Sequence, residues 1–245
     1  MSTAEDDIEV PLSAHGTNHV LIRGQDLNGL LHRYSFTELL LLALTGAPPS
    51  ADRAKIVNAV LGVALEAGFT PSAAADRVPF KDTTDSLQAG VGTGLLSGSG
   101  GLFAQAETVA RWLDILIANP SVRAERARQI VATYKDTRRT VPGFGHHLHR
   151  GDDPRARALI ELAADLGVPG FHLRALATLA DALEDAFGQV PVVNAAGAIA
   201  AVLGEAGIPA KQFGPLGVTA RAAGLATRIA TSRRGSTGGG PSDSA

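Results

Sequence analysis

Cysteine is absent from the 245 residues, which excludes disulfides, thiolate zinc sites and cysteine nucleophiles together and fits a reducing cytosol. An excess of charge is missing as well: 22 basic against 24 acidic residues give a formal net charge of -2 and a sequence pI near 6.4. Such a balance leaves no electrostatic footprint for nucleic acid or for an anionic lipid surface. The longest apolar run, Leu39 to Leu44, falls far short of the roughly 20 residues of a membrane span. The N-terminus, MSTAEDDIEV, is acidic and lacks the basic-then-apolar layout of a signal peptide. Alternating β-type stretches are nearly missing, and there is no internal repeat. These absences lead to the expectation of a soluble cytoplasmic protein without nucleic-acid or membrane partners.

What is present is an ordinary globular composition, 45% apolar and 19% charged, in a chain of 25.1 kDa. That length suffices for one large domain, or one domain with a smaller lobe. The pattern is helical almost throughout. Ser35-Phe36-Thr37-Glu38 forms a capping box before the run Phe36 to Leu44, which Gly46-Ala47-Pro48-Pro49 stops. Ser50 caps a helix with Ile56, Val57, Val60, Leu61 and Leu65 at helical spacing, ending near Gly68; Thr70-Pro71 opens a short one. Leu102 to Ala118 reads as a long helix with Phe103, Ala106, Val109, Ala110, Leu113 and Leu116 on one face. Pro120-Ser121 starts its successor, followed by helices over Arg155–Leu166, His172–Phe187, Ala195–Leu203 and about Val218–Thr231. His19 to Arg23 is the one plausible strand, and the Gly- and Ser-rich tail from Ser232 to Ala245 has little to bury and is expected to be disordered.

Two glycine-rich stretches interrupt this pattern. Gly90 to Gly101 lacks the spacing of a phosphate loop and is read as allowing close helix packing. The second lies in VPGFGHHLHRGDDPR, Val141 to Arg155, where His146, His147 and His149 follow a Gly-Phe-Gly turn and Arg150 and Arg155 flank them. Imidazole beside guanidinium suits a place where a carboxylate or phosphate is held and a carbonyl oxygen polarised. A solvent-facing His-rich loop or an adventitious metal site remains the alternative, and the lack of a carboxylate pair speaks against zinc.

This segment resembles the signature of the citrate synthase / citryl-CoA lyase family: glycine-aromatic-glycine-His, then Asp-Pro-Arg, here His146 and Asp153-Pro154-Arg155. His149 is similar to the short, lyase-like branch. Arg23-Gly24-Gln25-Asp26-Leu27, Ser35-Phe36 and Leu44-Thr45-Gly46 resemble that branch's N-terminal pattern. Gly197 to Leu203, Gly207-Ile208-Pro209 and Arg221 to Leu225 resemble its later helices. The resemblance implies an all-α, citrate synthase-like fold in a homodimer. Residues 1–101 and 194–231 would form a large helical domain, 102–193 a smaller one, and 232–245 the disordered tail. It implies a coenzyme A thioester as substrate with no permanently bound cofactor. The reaction would join or cleave a carbon–carbon bond between an acyl-CoA and a small oxo- or hydroxy-carboxylic acid.

Carried over residue by residue, the resemblance makes His146 the group at the reacting oxygen. Arg155 and Arg221 would hold substrate carboxylates, a task suited to the guanidinium fork. Val141, Pro142, Gly143, Phe144 and Gly145 would line coenzyme A; His147 and His149 are secondary candidates, as is Glu107. Three family residues have no counterpart. The enol-binding histidine falls at Gly101, with no histidine from Ser86 to Ala106; an acid-binding histidine falls at Ala67. The general base falls at Ala196, with no acidic residue between Asp185 and Glu205. General-base catalysis is worth roughly 10²–10⁴-fold, and a methyl group supplies none of it. Two functions therefore compete: a carbon–carbon lyase or synthase with an altered site, and a catalytically silent protein that binds CoA or carboxylates.

Overall fold

The computed structural model describes residues 11–65, 84–97, 101–137, 139–145 and 151–232. It divides into two compact units, residues 1–58 and 59–245.

In the first unit, strands β1 (Ser13–His15), β2 (Val20–Ile22) and β3 (Gln25–Asp26) form an antiparallel meander, with Ala14 opposite Leu21 and Ile22 opposite Gln25. The β2–β3 turn is two residues, Arg23 and Gly24, both at positive φ (49° and 74°). That geometry matches the twist of the flanking strands. Sequence periodicity pointed to β2 alone; strands of two or three residues are too short to show an alternation. Helix α1 (Leu27–Leu31) follows, begun by the Asp26 side chain accepting from the Gly29 N–H. Helix α2 (Phe36–Thr45) has the expected capping box. Ser35 Oγ accepts from the Glu38 N–H at 3.4 Å, and Glu38 accepts from the Ser35 N–H at 2.8 Å. It ends at Gly46 in the left-handed region.

Helix α3 (Ala51–Leu65) runs from the first unit into the second. Helix α4 (Thr84–Leu96) corrects one expectation: Gly90, Gly92 and Gly94 do not break the helix but lie within it. Gly90 and Gly94, four apart on one face, are buried, and α4 packs against α10 (Phe213–Ser232). The burial of Gly90 and Gly94 agrees with the close-packing reading, whereas a Cβ on Gly92 or Gly101 would meet nothing within 4 Å and close packing does not account for those two.

The core of the second unit is α9 (Ala195–Glu205), whose residues 195–203 are all buried. It sits among α5 (Leu102–Ala118), α7 (Pro154–Asp165) and α8 (Phe171–Phe187). A helix apolar on every side belongs in the centre of a bundle, and its alanines let the neighbours approach. α5 turns Ala106, Val109, Ala110, Leu113 and Leu116 inward, the stripe read from its spacing, while Phe103 stays half-buried. After a short 3-10 turn at Pro120–Val122, α6 (Arg123–Thr137) packs on α8. The buried carboxylate of Glu205 caps α8, accepting from the N–H groups of Gly170 (2.9 Å), His172 (2.7 Å) and Leu173 (3.1 Å). α10 begins five residues earlier than its apolar spacing indicated, because Pro215 is accommodated in its first turn.

Candidate functional site

The loop Val141–Gly145 is held against the start of α9 chiefly by backbone hydrogen bonds. The Asn194 N–H donates to the Gly143 carbonyl at 3.0 Å, and the Gly145 N–H to Val192 at 2.7 Å, with Phe144 bridged to Val193. Two glycines make this approach possible. Gly143 lies at φ +85°, and a Cβ there would meet Val109 Cγ2 at 2.8 Å. A Cβ on Gly197 would stand 2.5 Å from the Gly143 oxygen. Phe144 is buried and Gly145 exposed, so the loop passes from core to surface within one residue.

The polar groups at the start of α9 are committed to this architecture. Asn194 Oδ1 accepts from the N–H groups of Ala196 (2.9 Å) and Gly197 (3.2 Å), and its Nδ2 donates to the Gly145 carbonyl (3.0 Å). Asp153, fully buried, caps α7 by accepting from the Arg155 N–H (3.1 Å) and also accepts from the Ala195 N–H (3.1 Å). Its two oxygens further receive Arg155 Nε (3.0 Å) and Nη2 (2.9 Å). Burial pushes the Asp153 carboxyl up. The Arg155 hydrogen bonds and charge, with the Ala195 N–H, outweigh burial and hold it below the ordinary carboxylate range. One acid thus ties the starts of α7 and α9 together and orients a guanidinium.

That guanidinium faces a cavity of about 330 Å³, lined by Leu102, Gln105, Thr140, Phe144, Gly145, Arg155, Asn194, Ala195 and Ala196. Of the residues singled out from sequence, Phe144, Gly145, Arg155 and Ala196 meet here. Gly101 stands next to Leu102 as the residue before α5, in extended backbone (φ −70°, ψ −166°), with open space where a Cβ would be. Val141, Pro142 and Gly143, in the same loop, are not among the lining residues. Arg221 is half-buried on α10 and is not among the lining residues. His146, His147, His149 and Arg150 lie outside the described residues, as do Ala67, the Thr70-Pro71 helix and the tail beyond Ser232. Among the described residues, no group of three or more His, Cys, Asp or Glu side chains could hold a metal ion. No described helix is long and apolar enough to cross a membrane.

Sequence reasoning passed over Asn194, Gln105 and Thr140. Asn194 carried a readable signal, an Asn immediately before the helical run Ala195-Ala196-Gly197; an exposed glutamine or threonine carries none.

The family model for the citrate synthase C-terminal domain matches residues 14–237, and the chain belongs to that family. A putative citrate synthase 2 of Mycobacterium tuberculosis is 31% identical over 115 residues, 46% of this chain and 31% of that protein. The matched segment thus spans under a third of that relative's length. Among solved structures, citryl-CoA lyase from Hydrogenobacter thermophilus superposes with a TM-score of 0.77 at 28% identity, covering 89% of this chain and 84% of the lyase. ATP citrate lyase from Methanothrix soehngenii, in complex with citrate and coenzyme A, gives a TM-score of 0.74 at 18% identity, covering 99% of this chain and 41% of that one. The fold is that of citrate synthase and citryl-CoA lyase.

Proposed function

We propose that this chain is a cytoplasmic, homodimeric enzyme that cleaves or forms a carbon–carbon bond between an acyl-CoA and an oxo- or hydroxy-carboxylic acid. It would do so with an incomplete set of the family's reacting groups. The observation that carries the reading is the convergence of the motif residues Phe144, Gly145 and Arg155 with Ala196, some forty residues further along the chain, on one cavity. The likeness to a citryl-CoA lyase supports it. In this account the Val141–Gly145 backbone lies along the CoA thioester, which is substrate rather than resident cofactor. Arg155 and Arg221 hold carboxylates, and residues 102–193 act as the smaller lobe.

In the cleavage direction the substrate hydroxyl passes its proton to His146 as the adjacent carbon–carbon bond breaks. The oxygen becomes a ketone, and the bonding electrons form the enolate of the thioester. That enolate then takes a proton at carbon, from His147, His149 or solvent in place of the carboxyl that Ala196 does not provide. Cleavage makes a lighter demand on the missing base than synthesis, which would have to begin by removing a proton from carbon.

A second reading, a silent binder of CoA or carboxylates, is favoured by one fact: no carboxylate or imidazole lines the cavity among the described residues. Calorimetric titration of CoA, acetyl-CoA and citrate into parent and Arg155→Ala protein tests the shared part. The expected result is CoA binding to both, with acid affinity lower in Arg155→Ala by tenfold or more, since charge-assisted hydrogen bonds contribute about 1.5–3 kcal/mol. A parent that binds neither CoA nor acid, or an acid affinity untouched by the substitution, overturns the reading.

A further inference from the structure

A thioester carbonyl is a neutral acceptor, and an acyl group seated in this cavity needs a donor for it. The start of α9, the obvious source, has none to spare. The Ala195 N–H is given to Asp153, those of Ala196 and Gly197 to Asn194 Oδ1, and that of Ala198 to the Asn194 carbonyl. Asn194 Nδ2 is engaged with the Gly145 carbonyl. Arg155 directs Nε and Nη2 at Asp153 and is a cation suited to a carboxylate rather than to a neutral oxygen. Leu102, Phe144, Ala195 and Ala196 offer apolar surface.

Among the donors that remain are the Leu102 N–H, at the start of α5 where no side chain caps it, and two polar side chains, the Gln105 carboxamide and the Thr140 hydroxyl; neither side chain has a hydrogen-bond partner among the described residues. Gln105 stands on the first turn of α5, where its backbone N–H is already given to Gly101. Its amide offers two donors on a reach that a threonine lacks.

We propose that Gln105 is a substrate-contacting residue of this cavity, its carboxamide donating to the acyl carbonyl oxygen of the bound thioester with Thr140 beside it. The assignment rests on the acyl-CoA reading above. A neutral amide suits this task without a proton transfer: it stabilises the carbonyl oxygen as negative charge builds there and does not titrate. The apolar lining of Leu102, Ala195 and Ala196 accepts the aliphatic part of the acyl group.

The test compares acetyl-CoA with free CoA, which differ by the acyl carbonyl and its methyl. Both are titrated calorimetrically into parent, Gln105→Leu and Thr140→Val protein. In Gln105→Leu, acetyl-CoA affinity should fall about fivefold, in keeping with one neutral hydrogen bond, while CoA affinity stays at the parent value. Thr140→Val should show a smaller loss of the same selectivity. Gln105 is exposed, so the melting temperature should not move, and a purely structural role would not separate the two ligands. Equal losses for both ligands, or none for either, overturn the assignment while leaving the acyl-CoA reading in place. A parent that binds neither ligand overturns that reading and the assignment with it.

Discussion

Asp153 is the side chain on which the site's geometry most depends, and replacing it with alanine has a calculable cost. The change removes acceptors for the Arg155 N–H, Nε and Nη2 and for the Ala195 N–H at once. Loss of the α7 cap costs about 1 kcal/mol. The Ala195 N–H, 42 residues away and buried, is left without an acceptor at about 1–3 kcal/mol. The Arg155 side chain is 37% exposed, so water replaces much of its lost partner and the ion pair itself adds only about 0.5 kcal/mol. A total of about 2.5–4.5 kcal/mol corresponds to a fall of roughly 10 °C in Tm for a chain of this length. Asp153→Asn keeps one cap oxygen and should lose about half as much. The pH dependence has a definite sign. A carboxyl whose pKa is lowered by folding contributes stability above its unfolded value of about 3.9, and that contribution disappears as pH falls through the lower folded value. Melts followed by circular dichroism should show a constant gap between parent and Asp153→Ala from pH 7 to about pH 5, closing only below about pH 4. A variant within 2 °C of the parent at pH 7, or a gap already closed at pH 6, would refute this account of how α7 and α9 are joined.

Gly197→Ala brings a Cβ to 2.5 Å from the Gly143 carbonyl, a backbone atom that cannot swing aside, so the loop must move off α9; CoA affinity should drop at least tenfold, and a variant that binds like the parent contradicts the clamp. Glu205→Ala strips the acceptors from three N–H groups at the start of α8 and should destabilise by about 2–4 kcal/mol, read by urea unfolding; Glu205→Gln should fall between. Ala196→Asp places a carboxyl in the cavity wall, and with Gly101→His, sterically free in its extended backbone, it should speed exchange of acetyl-CoA α-protons for deuterium relative to the parent. Rapid exchange by the parent itself would show that its base is not missing.

The helical fold was legible because its apolar residues recur at helical spacing. The α5 stripe and the α2 capping box appear where their sequence signals stand. The short meander was not, since Ser13–His15 and Gln25–Asp26 hold too few residues to alternate and their registers come from the turns at Gly16–His19 and Arg23-Gly24. Gly90, Gly92 and Gly94 misled because glycine lowers helix propensity by only about 1 kcal/mol each, which packing of α4 on α10 overrides. In the site, Phe144, Gly145 and Arg155 were visible through a spaced motif. Gln105 and Thr140 were not, because their part comes from where the backbone places them and from the neighbours' amides being already used. The double role of Asp153 was half legible: Asp before Pro announces a helix cap, but nothing local announces its bond to Ala195.

The measurement that bears most directly on the central claim is mass-spectrometric detection of carbon–carbon cleavage across a panel of 3-hydroxyacyl-CoA thioesters, citryl-CoA among them, with parent and Arg155→Ala protein side by side. The account predicts that at least one thioester is split into a shorter acyl-CoA and an oxo-acid by the parent, and that this rate falls tenfold or more in the variant. CoA binding by the parent with no cleavage of any thioester in the panel would contradict it, and would leave the silent binder as the better description of this cavity.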